Sequence, residues 1–393
     1  MAESTQQRLA SLDVFRGATM LFMASEIMGL SRASEACPEN PFCRFLSYNT
    51  SHVAWAGWSL WDLIQPSFMF MVGVALPWSI ASRKEKGQTE RDLWVHTLWR
   101  SFALIALGIF LRSVGRQQTN FTFEDVLTQI GLGYPLLFWL GWRMPKAQAI
   151  AAGAILAAYW ACFALFPAPP AGFDWPSVGV PMDWPHHPEG FGAHWDKNTN
   201  FAAWADHWFL NLWPRVKAFE FNGGGYLTLN FLPSLATMIF GLLAGGLLRS
   251  SKPDEEKART LLIATGAGIV AGWLLDLTGI CPMVKRIWTP SWALFAGGCT
   301  CGLLLLFYWV VDVKMWRKWI QPFTVVGMNS IAMYCLVHLV DKFVGESLKV
   351  HFGRGVFAQF GTALAKPLEG AAVLGVLWLI CYWMYQRRIF IRV

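Results

Sequence analysis

His52 and Asp62 are the two side chains whose types and spacing best suit chemistry, and both lie at the start of a long apolar run. The run is SHVAWAGWSLWDLIQPSFMFMVG, residues 51–73, and it is apolar enough to enter a membrane. A histidine beside a carboxylate can act as a general base or carry an acyl group, while the carboxylate orients the ring. The alternative is an interfacial histidine with no chemical role.

The ten-residue spacing between His52 and Asp62 decides how they could meet. In an ideal helix it would hold them about 15 Å apart. We therefore expect contact only if residues 51–57 fold back as a loop, or if another helix supplies a partner. Pro66 has no backbone N–H for the carbonyl of Asp62, so the sequence predicts a helix that is loosened at the carboxylate.

The composition indicates a membrane protein. Of 393 residues, 55% are hydrophobic and 15% charged, against about 25% charged in a typical soluble domain. The charges cluster between long apolar runs, and no basic face suited to nucleic acid is visible. The sequence therefore predicts an all-α integral membrane protein, residues 1–393 forming one transmembrane domain. Its ten candidate spans are 14–31, 58–82, 94–112, 124–142, 147–166, 226–248, 260–278, 291–311, 319–341 and 369–386.

Loop charges predict the orientation. Lysines and arginines concentrate in one set of loops and in the C-terminal tail, which places that set and both termini in the cytoplasm. The opposite set includes a long aromatic-rich loop, 167–225, which we predict to be periplasmic. This outer loop could lie along the membrane interface, anchored by tryptophans, or cap a cavity as a lid or sugar platform.

The cysteines offer one candidate disulfide, which an oxidising outer compartment would allow, and no zinc site. Cys37 and Cys43 lie in the first outer loop, where they could pair. Cys299 and Cys301 are separated by one residue inside a helix, a spacing that does not suit zinc. We therefore predict no bound metal.

Charged residues inside spans usually face a bundle interior or a water-filled cavity. Arg16 and Arg100 both fall near the inner face. Arg16 could simply pair with Asp13 and Arg100 could snorkel to the interface. If both point inward, they would form a cationic mouth suited to phosphates.

Other polar residues lie in the middle or outer half of the spans. Bonds between helices are the ordinary role of such groups, although a carboxylate in a span needs a partner or water. The residues that we single out as candidate site residues are Glu26, Asn230, Lys285, Asn329 and His338. A cationic inner mouth with a polar outer cluster fits a transporter. It fits equally an enzyme that takes a phosphorylated donor from the cytoplasm.

Several motifs occur together in a recognisable order. They are SLDVFRG, HVAWAGWSLWDLIQPSFMFMVG, WRSFALIALGI, DVLTQIGLGY, IFGLLAG, KRIWTPSW, VVDVK, GMNSI and YQRRIF. Their order and spacing resemble the heparan-alpha-glucosaminide N-acetyltransferase family over nearly the whole chain, and the pattern looks closest to a bacterial relative.

The resemblance implies a transmembrane acyltransferase that takes acetyl from cytosolic acetyl-CoA and passes it to an amino sugar across the membrane. His52 matches the histidine of the family's H-x-x-W-x-G motif and would be catalytic, with Asp62 as its partner. Arg16 and Arg100 match family positions and would bind coenzyme A. Asn329 and Lys285 match too, and would position the thioester or the acceptor.

The sequence departs from the family pattern at several places. It reads ASEIMG where the family has an asparagine, Ala56 replaces an amide, and Thr128-Gln129 replaces a Gln-Arg pair. His338 is shifted by one position after GMNSI. These differences lie in or near the predicted site and bear on the identity of the acceptor.

We therefore predict a bacterial inner-membrane acyltransferase acting on an amino sugar or glycan, and we include a second copy of the chain, as a homodimer, among its candidate partners. Arg16, Arg100 and Asn329 would bind the donor, and Glu26, Asn230, Lys285 and His338 the acceptor. The alternative is an amino-sugar permease that transfers no acyl group, and a scaffold protein is a third reading. Coenzyme A binding discriminates the enzyme from the other two.

Overall fold

The computed structural model describes residues 9–188, 190–359 and 361–391. Within these residues the regular structure is helical. The main helices are α1 (Ala10–Ala24), α2 (Pro41–Asn49), α3 (Ile64–Glu85), α4 (Glu90–Ser113), α5 (Val126–Leu140), α6 (Pro145–Ala164), α7 (Phe201–Leu210), α8 (Phe231–Arg249), α9 (Asp254–Leu277), α10 (Pro290–Phe307), α11 (Gln321–Met328), α12 (Ser330–Leu339), α13 (Asp341–Phe352) and α14 (Thr362–Gln386).

Among the described residues, seven helical stretches are long and apolar enough to cross a membrane, or eight if the bent pair α11–α12 counts as one span. These stretches contain α3, α4, α6, α8, α9, α10 and α14. This architecture is that of a helical membrane protein. Helix α1 overlaps the predicted span 14–31 and α5 falls within the predicted span 124–142, but each has 15 residues, short of the roughly 20 that a bilayer requires.

The helix boundaries have local causes. Thr89 caps α4, since its hydroxyl accepts from the backbone N–H of Asp92 while the Asp92 carboxylate accepts from the N–H of Thr89. Asn40 caps α2, and Pro41 follows at the first helical position. Helix α1 ends at Ala24, earlier than predicted, and the chain continues as 3₁₀ turns on either side of Gly29, which is left-handed.

The chain divides into two compact units. The first comprises the described residues up to His52, then Ser59–Ile64, and those from Gly302 onward; the second comprises Val53–Trp58 and Gln65–Cys301. In the first unit, α1 packs directly on α11. A Cβ on Gly17 would lie 1.8 Å from the carbonyl oxygen of Phe323, so only glycine permits this backbone approach.

In the second unit, α4 packs on α5 and α6 packs on α8. The described part of the aromatic segment, residues 167–188 and 190–225, packs against the C-terminal half of α6. Trp195 and Ala202 of this segment join a buried cluster with Trp55, Tyr159 and Phe163. The segment therefore has a packed inner side.

Helix α7, inside this segment, has two unlike faces. Ala202, Asp206 and Leu210 are buried, whereas Trp204 and Trp208 are exposed. An apolar outer face with tryptophans is typical of a helix lying at a membrane interface. Cys37, which precedes α2, forms a disulfide with Cys43 in the first turn of α2, which confirms the predicted pairing.

Candidate functional site

His52 and Asp62 meet in the first unit. Nδ1 of His52 lies 2.7 Å from Oδ1 of Asp62. Residues 51–60 fold back as a loop instead of continuing a helix, which is the first of the two geometries that the spacing allowed. If Asp62 is ionised, its oxygens can only accept, so Nδ1 would carry the shared proton and a neutral ring would keep its lone pair on Nε2.

Ser59 fixes the other oxygen of Asp62. Its backbone N–H donates to Oδ2 at 3.1 Å, and its hydroxyl lies 3.0 Å from the same oxygen. That hydroxyl also lies 2.6 Å from the carbonyl of Ser51, so it lies between two acceptors, and its one proton is donated to one of them at a time. The Asn49 side chain accepts from the N–H of Leu60 at 3.2 Å. The loop is thus closed at both ends by its own polar groups.

Solvent exposure differs sharply between His52 and Asp62. Asp62 is fully buried, whereas the His52 side chain is 38% exposed. A buried carboxylate holds the ring while the ring remains open to a reactant, which is the arrangement expected of a general base or acyl carrier. Asp62 lies in a 3₁₀ turn before α3, and Pro66 is the third residue of α3, where a missing N–H costs little.

The residues that follow His52 belong to the second unit and are held there. Arg286 donates through Nε and Nη2 to the carbonyl of Val53, at 3.3 and 3.1 Å. The indole of Trp55 donates to the carbonyl of Trp195 at 3.2 Å, and the N–H of Gly57 donates to Met283 at 2.9 Å. The motif containing His52 is therefore a fixed loop over residues 53–57.

The two arginines proposed for the donor lie in different units, and each has a partner. Arg16 contacts Asp13 at 3.7 Å, the i, i+3 pair that the sequence allowed. Arg100 donates from Nη1 to the Tyr134 hydroxyl at 3.0 Å and stacks over that ring. Its Nε is buried and, in the described part of the chain, makes no hydrogen bond. Arg100 therefore retains a donor for an acceptor oxygen.

Asn329 lies in the first unit at the break between α11 and α12, where the helix axis bends by 80°. It is fully buried, and its Oδ1 accepts from the backbone N–H of Ile391 at 3.2 Å. Its Nδ2 is buried with no hydrogen bond to any described residue. A buried amide at a broken helix has the form of a ligand-positioning group.

Glu26 and His338, also in the first unit, are exposed. Glu26 lies in the 3₁₀ turn after α1. Nδ1 of His338 donates to the carbonyl of Tyr334 at 2.8 Å, and the two rings stack. No described contact brings either residue to His52.

Asn230 and Lys285 are buried together in the second unit. The amide of Asn230 donates to the carbonyl of Arg286 at 2.8 Å, and Nζ of Lys285 lies 3.2 Å from the Tyr226 hydroxyl. Both therefore lie beside the turn at residues 284–288.

Sequence reasoning missed two features. One is Ser59, whose serine side chain in GWSLWD carried no visible signal. The other is a second histidine–carboxylate pair, which lies in the aromatic segment. Nδ1 of His187 lies 3.0 Å from Oδ1 of Asp196. The signal for it was the run PHHPEGFGAHWD, which concentrates three histidines and an aspartate.

Two carboxyl groups lie where the aromatic segment meets α5, of which Asp206 is buried and Glu124 half-buried. Asn222 donates to the carboxylate of Glu124, and the N–H of Thr228 donates to Oδ2 of Asp206 at 2.9 Å. Burial raises the pKa of Glu124 to about 7 and the pKa of Asp206 to about 6. Arg112 instead pairs with Asp125 at 3.1 Å.

No group of three or more metal-binding side chains occurs in the described residues. No protein-family model matches the chain.

Two curated proteins are similar along nearly the whole chain. It is 22% identical over 429 residues to heparan-alpha-glucosaminide N-acetyltransferase of Mus musculus, an alignment covering 98% of this chain and 61% of that protein. It is 23% identical over 436 residues to the protein of the same name from Homo sapiens, covering 98% and 59%. The chain thus spans about three fifths of the length of the curated relatives it matches.

Proposed function

Because the chain is a distant relative of heparan-alpha-glucosaminide N-acetyltransferases, we propose that it is a transmembrane acyltransferase. It would move an acetyl group from cytoplasmic acetyl-CoA to an amino sugar or glycan on the outer side of the membrane. The observation that carries this proposal is the exposed His52 ring held at 2.7 Å by the buried Asp62. The similarity of the whole chain to acetyltransferases supports the reaction class.

His52 would act through Nε2. As a general base, it takes a proton from the acceptor amine or hydroxyl while that group attacks the thioester carbonyl. The new bond to the acetyl carbon forms, the carbon–sulfur bond breaks, and the proton passes from His52 to the leaving sulfur. Asp62 stabilises the imidazolium between the two proton transfers.

Nε2 could instead attack the thioester itself and carry the acetyl group before the acceptor displaces it. The thiolate then leaves first, and the acceptor proton is released as the acetyl–nitrogen bond breaks. Acid-quenching the protein with labelled acetyl-CoA and no acceptor separates the routes, since only this one leaves label on the protein.

Arg16 and Arg100 would hold the phosphates of the donor. Guanidinium groups suit phosphate oxygens, and the buried Nε of Arg100 is an available donor among the described contacts. Asn329 would position the thioester through its Nδ2. This assignment places the donor side in the cytoplasm of a ten-helix inner-membrane protein with both termini cytoplasmic.

The acceptor would meet the outer segment, residues 167–225, together with Asn230 and Lys285. Glu26 and His338 are exposed on the first unit and would contact the remainder of the sugar. Aromatic side chains in the segment offer flat faces for sugar rings.

An amino-sugar permease is the second candidate, and the broken helix favours it. Discontinuous spans with a buried polar residue at the break are typical of transporter binding sites, and α11 and α12 bend by 80° at Asn329. A permease needs no acyl donor, so coenzyme A binding discriminates the two functions.

The test is transfer from labelled acetyl-CoA by the purified full-length chain in liposomes, with and without glucosamine. Wild type should give acceptor-dependent acetylation, and His52→Ala should abolish it. His207→Ala is the matched control, because His207 is an exposed histidine of α7. If wild type neither binds coenzyme A nor turns it over, the enzyme is excluded and glucosamine uptake becomes the assay.

A further inference from the structure

Helix α2, which ends three residues before His52, has little packing to hold it. None of its nine residues, all of which the structure describes, is buried, and Phe42 and Phe45 are 67% and 59% exposed. A helix this short is marginal by itself, because most helical stability in proteins comes from the packing of an apolar face. Contacts of another kind therefore hold α2 in place.

A disulfide holds the first turn of α2. Cys43 is the third residue of the helix, and its bond to Cys37, six residues earlier, closes a short loop that contains the cap residue Asn40. The N–H of Cys37 donates to the carbonyl of Ala33 at 3.2 Å. A crosslink removes open conformations from the segment that it closes. The disulfide thus joins the start of α2 to the helical turn before it.

Ser47 anchors the middle of α2 to the same part of the chain. Its hydroxyl donates to the carbonyl of Ser31 and accepts from the hydroxyl of Ser34 at 3.0 Å. The carbonyl of Ser47 accepts from the Ser51 hydroxyl at 2.6 Å. Ser47 therefore connects residues 31–34 with the residue directly before His52.

The end of α2 holds the loop that carries Asp62. The Asn49 side chain accepts from the N–H of Leu60 at 3.2 Å, and the carbonyl of Ser51 lies 2.6 Å from the Ser59 hydroxyl. Ser59 in turn donates its N–H to the Asp62 carboxylate at 3.1 Å. The position of α2 is therefore passed on to the carboxylate that orients the histidine ring.

We propose that Cys37, Cys43 and Ser47 are positioning residues for His52. The disulfide and the serine hold α2, and α2 holds the pair of His52 and Asp62. This inference rests on the proposed function, in which His52 acts through Nε2. Acetyl transfer then requires the disulfide, a bond that persists in oxidising compartments.

The expected defect is in turnover. A base or acyl carrier must be aligned with the reacting carbonyl, and a misplacement of about 1 Å can cost about 100-fold in rate. With the disulfide open, the pair would still form part of the time, so a partial loss of kcat should result. Donor binding, which we assign to other residues, should stay unchanged.

The test is reduction of the purified full-length chain, in detergent, by a water-soluble phosphine. The S–S bond breaks, the phosphine is oxidised to its oxide with the oxygen of one water, and the two hydrogens of that water complete the two thiols. Unlike a thiol reductant, the phosphine takes no acetyl group from acetyl-CoA. The other six cysteines are free, so one bond of the protein is changed.

Reduction should lower kcat about tenfold and leave the KM for acetyl-CoA and the Kd of coenzyme A unchanged. The double variant Cys37→Ser/Cys43→Ser should show the same loss without the phosphine and no further loss with it. Cys162→Ser, at an exposed free cysteine of α6, should respond as wild type does. Reoxidation by glutathione disulfide, which leaves two glutathione molecules, should restore the kcat of wild type and not that of the double variant.

Hydrogen exchange with mass spectrometry follows the loop without any use of activity. Reduction should speed exchange in peptides covering residues 47–51 and 59–62 and leave peptides of α8 unchanged. Ser47→Ala should give the same pattern and lower kcat about threefold, because it removes the two hydroxyl contacts. Ser47→Thr keeps the hydroxyl and should restore most of both. Faster exchange in α8 as well would mean general unfolding and would reject the positioning role.

Three further results would refute the proposal. The first is unchanged exchange over residues 47–62 after complete reduction. The second is faster exchange with unchanged kcat, since α2 would then not position His52. The third is a rise in KM in place of the fall in kcat, which would assign α2 to donor binding.

The proposed function fails separately. If wild type transfers no acetyl group, the acyltransferase is rejected, and the exchange measurement alone decides on α2. Faster exchange on reduction would then keep the coupling of the disulfide to the His52–Asp62 pair, and unchanged exchange would reject that coupling too.

Discussion

Two histidine–aspartate pairs occur in the described chain, one in each unit, and they share one geometry. Nδ1 of His52 lies 2.7 Å from Asp62, and Nδ1 of His187 lies 3.0 Å from Asp196. In both pairs the carboxylate is buried and the ring is the more exposed partner. Geometry between the two partners therefore does not separate a reactive pair from a structural one.

The surroundings of Nε2 do separate them. Nε2 of His187 is buried and makes no hydrogen bond to the residues described, and its ring packs 4.0 Å from the Trp175 ring. His52 presents a ring that is 38% exposed. A base must reach its proton donor, so the pair that keeps an open ring is the better candidate for chemistry. The pair with the buried Nε2, His187 and Asp196, instead joins two parts of the aromatic segment.

The largest predicted difference is therefore in activity. His52→Ala should lower acetyl transfer about 1,000-fold or more, because loss of a general base or acyl carrier removes a factor of that size. His187→Ala should retain activity within about threefold. Single-turnover transfer from labelled acetyl-CoA measures both, with coenzyme A binding as the control for folding. Comparable losses in the two variants would end the distinction.

The second prediction concerns the group that orients His52. Asp62→Asn keeps the shape but no longer stabilises an imidazolium, so transfer should fall about 100-fold while coenzyme A binding persists. Ser59→Ala removes one contact to Asp62 and leaves the backbone N–H contact, and its loss should be only about threefold to tenfold. The same transfer assay ranks the variants. If Ser59→Ala were as damaging as Asp62→Asn, the loop itself would be the essential feature.

The third prediction concerns stability. His187→Ala leaves the buried carboxylate of Asp196 without its imidazole partner, which should lower the thermal unfolding midpoint by about 2–4 °C. Asp196→Asn, which removes the charge as well, should cost less. His52→Ala also removes the imidazole from a buried carboxylate, but Asp62 keeps two contacts from Ser59, whereas Asp196 keeps the N–H of Lys197, so the midpoint of His52→Ala should fall less. Scanning fluorimetry or calorimetry in detergent gives the three values.

The residues of the candidate site could be predicted from the sequence more fully than the structure around them. The motif identified His52 and Asp62, and the spacing argument stated that the loop would have to fold back for them to meet. Composition predicted a helical membrane protein, and each predicted span contains a helix. These features follow from local residue type and apolar periodicity.

Other features depend on tertiary contacts that no local pattern encodes. The bend at Asn329 occurs in a run, VVGMNSIAMY, that reads as continuous helix, because neither glycine nor asparagine alone forces an 80° break. The pairing of His187 with Asp196 requires the fold of a loop whose glycines and prolines leave many conformations open. The burial of Lys197, which is 7% exposed, could not be predicted from the sequence, because a lysine in a loop is normally exposed.

The last effect predicted, similar in size to the third, is a pH dependence of stability that belongs to the second unit. Folding raises the pKa of Glu124 from 4.5 to about 7 and the pKa of Asp206 from 3.8 to about 6, chiefly through burial. The folded state therefore binds these protons more tightly than the unfolded chain. The stabilisation is complete below about pH 4 and is lost as pH rises toward 7.

The unfolding midpoint should accordingly fall by a few degrees, about 2–4 °C, between pH 5 and pH 7.5. Glu124→Gln keeps the contact with Asn222 and cannot titrate, so its midpoint should fall less over the same interval. Glu35→Gln, at an exposed carboxylate of the first unit, should leave the slope unchanged. A flat wild-type profile would mean that both carboxylates stay ionised. Asn222 and Arg215 would then compensate the charges of Glu124 and Asp206, and the second unit would hold both carboxylates in their ionised form.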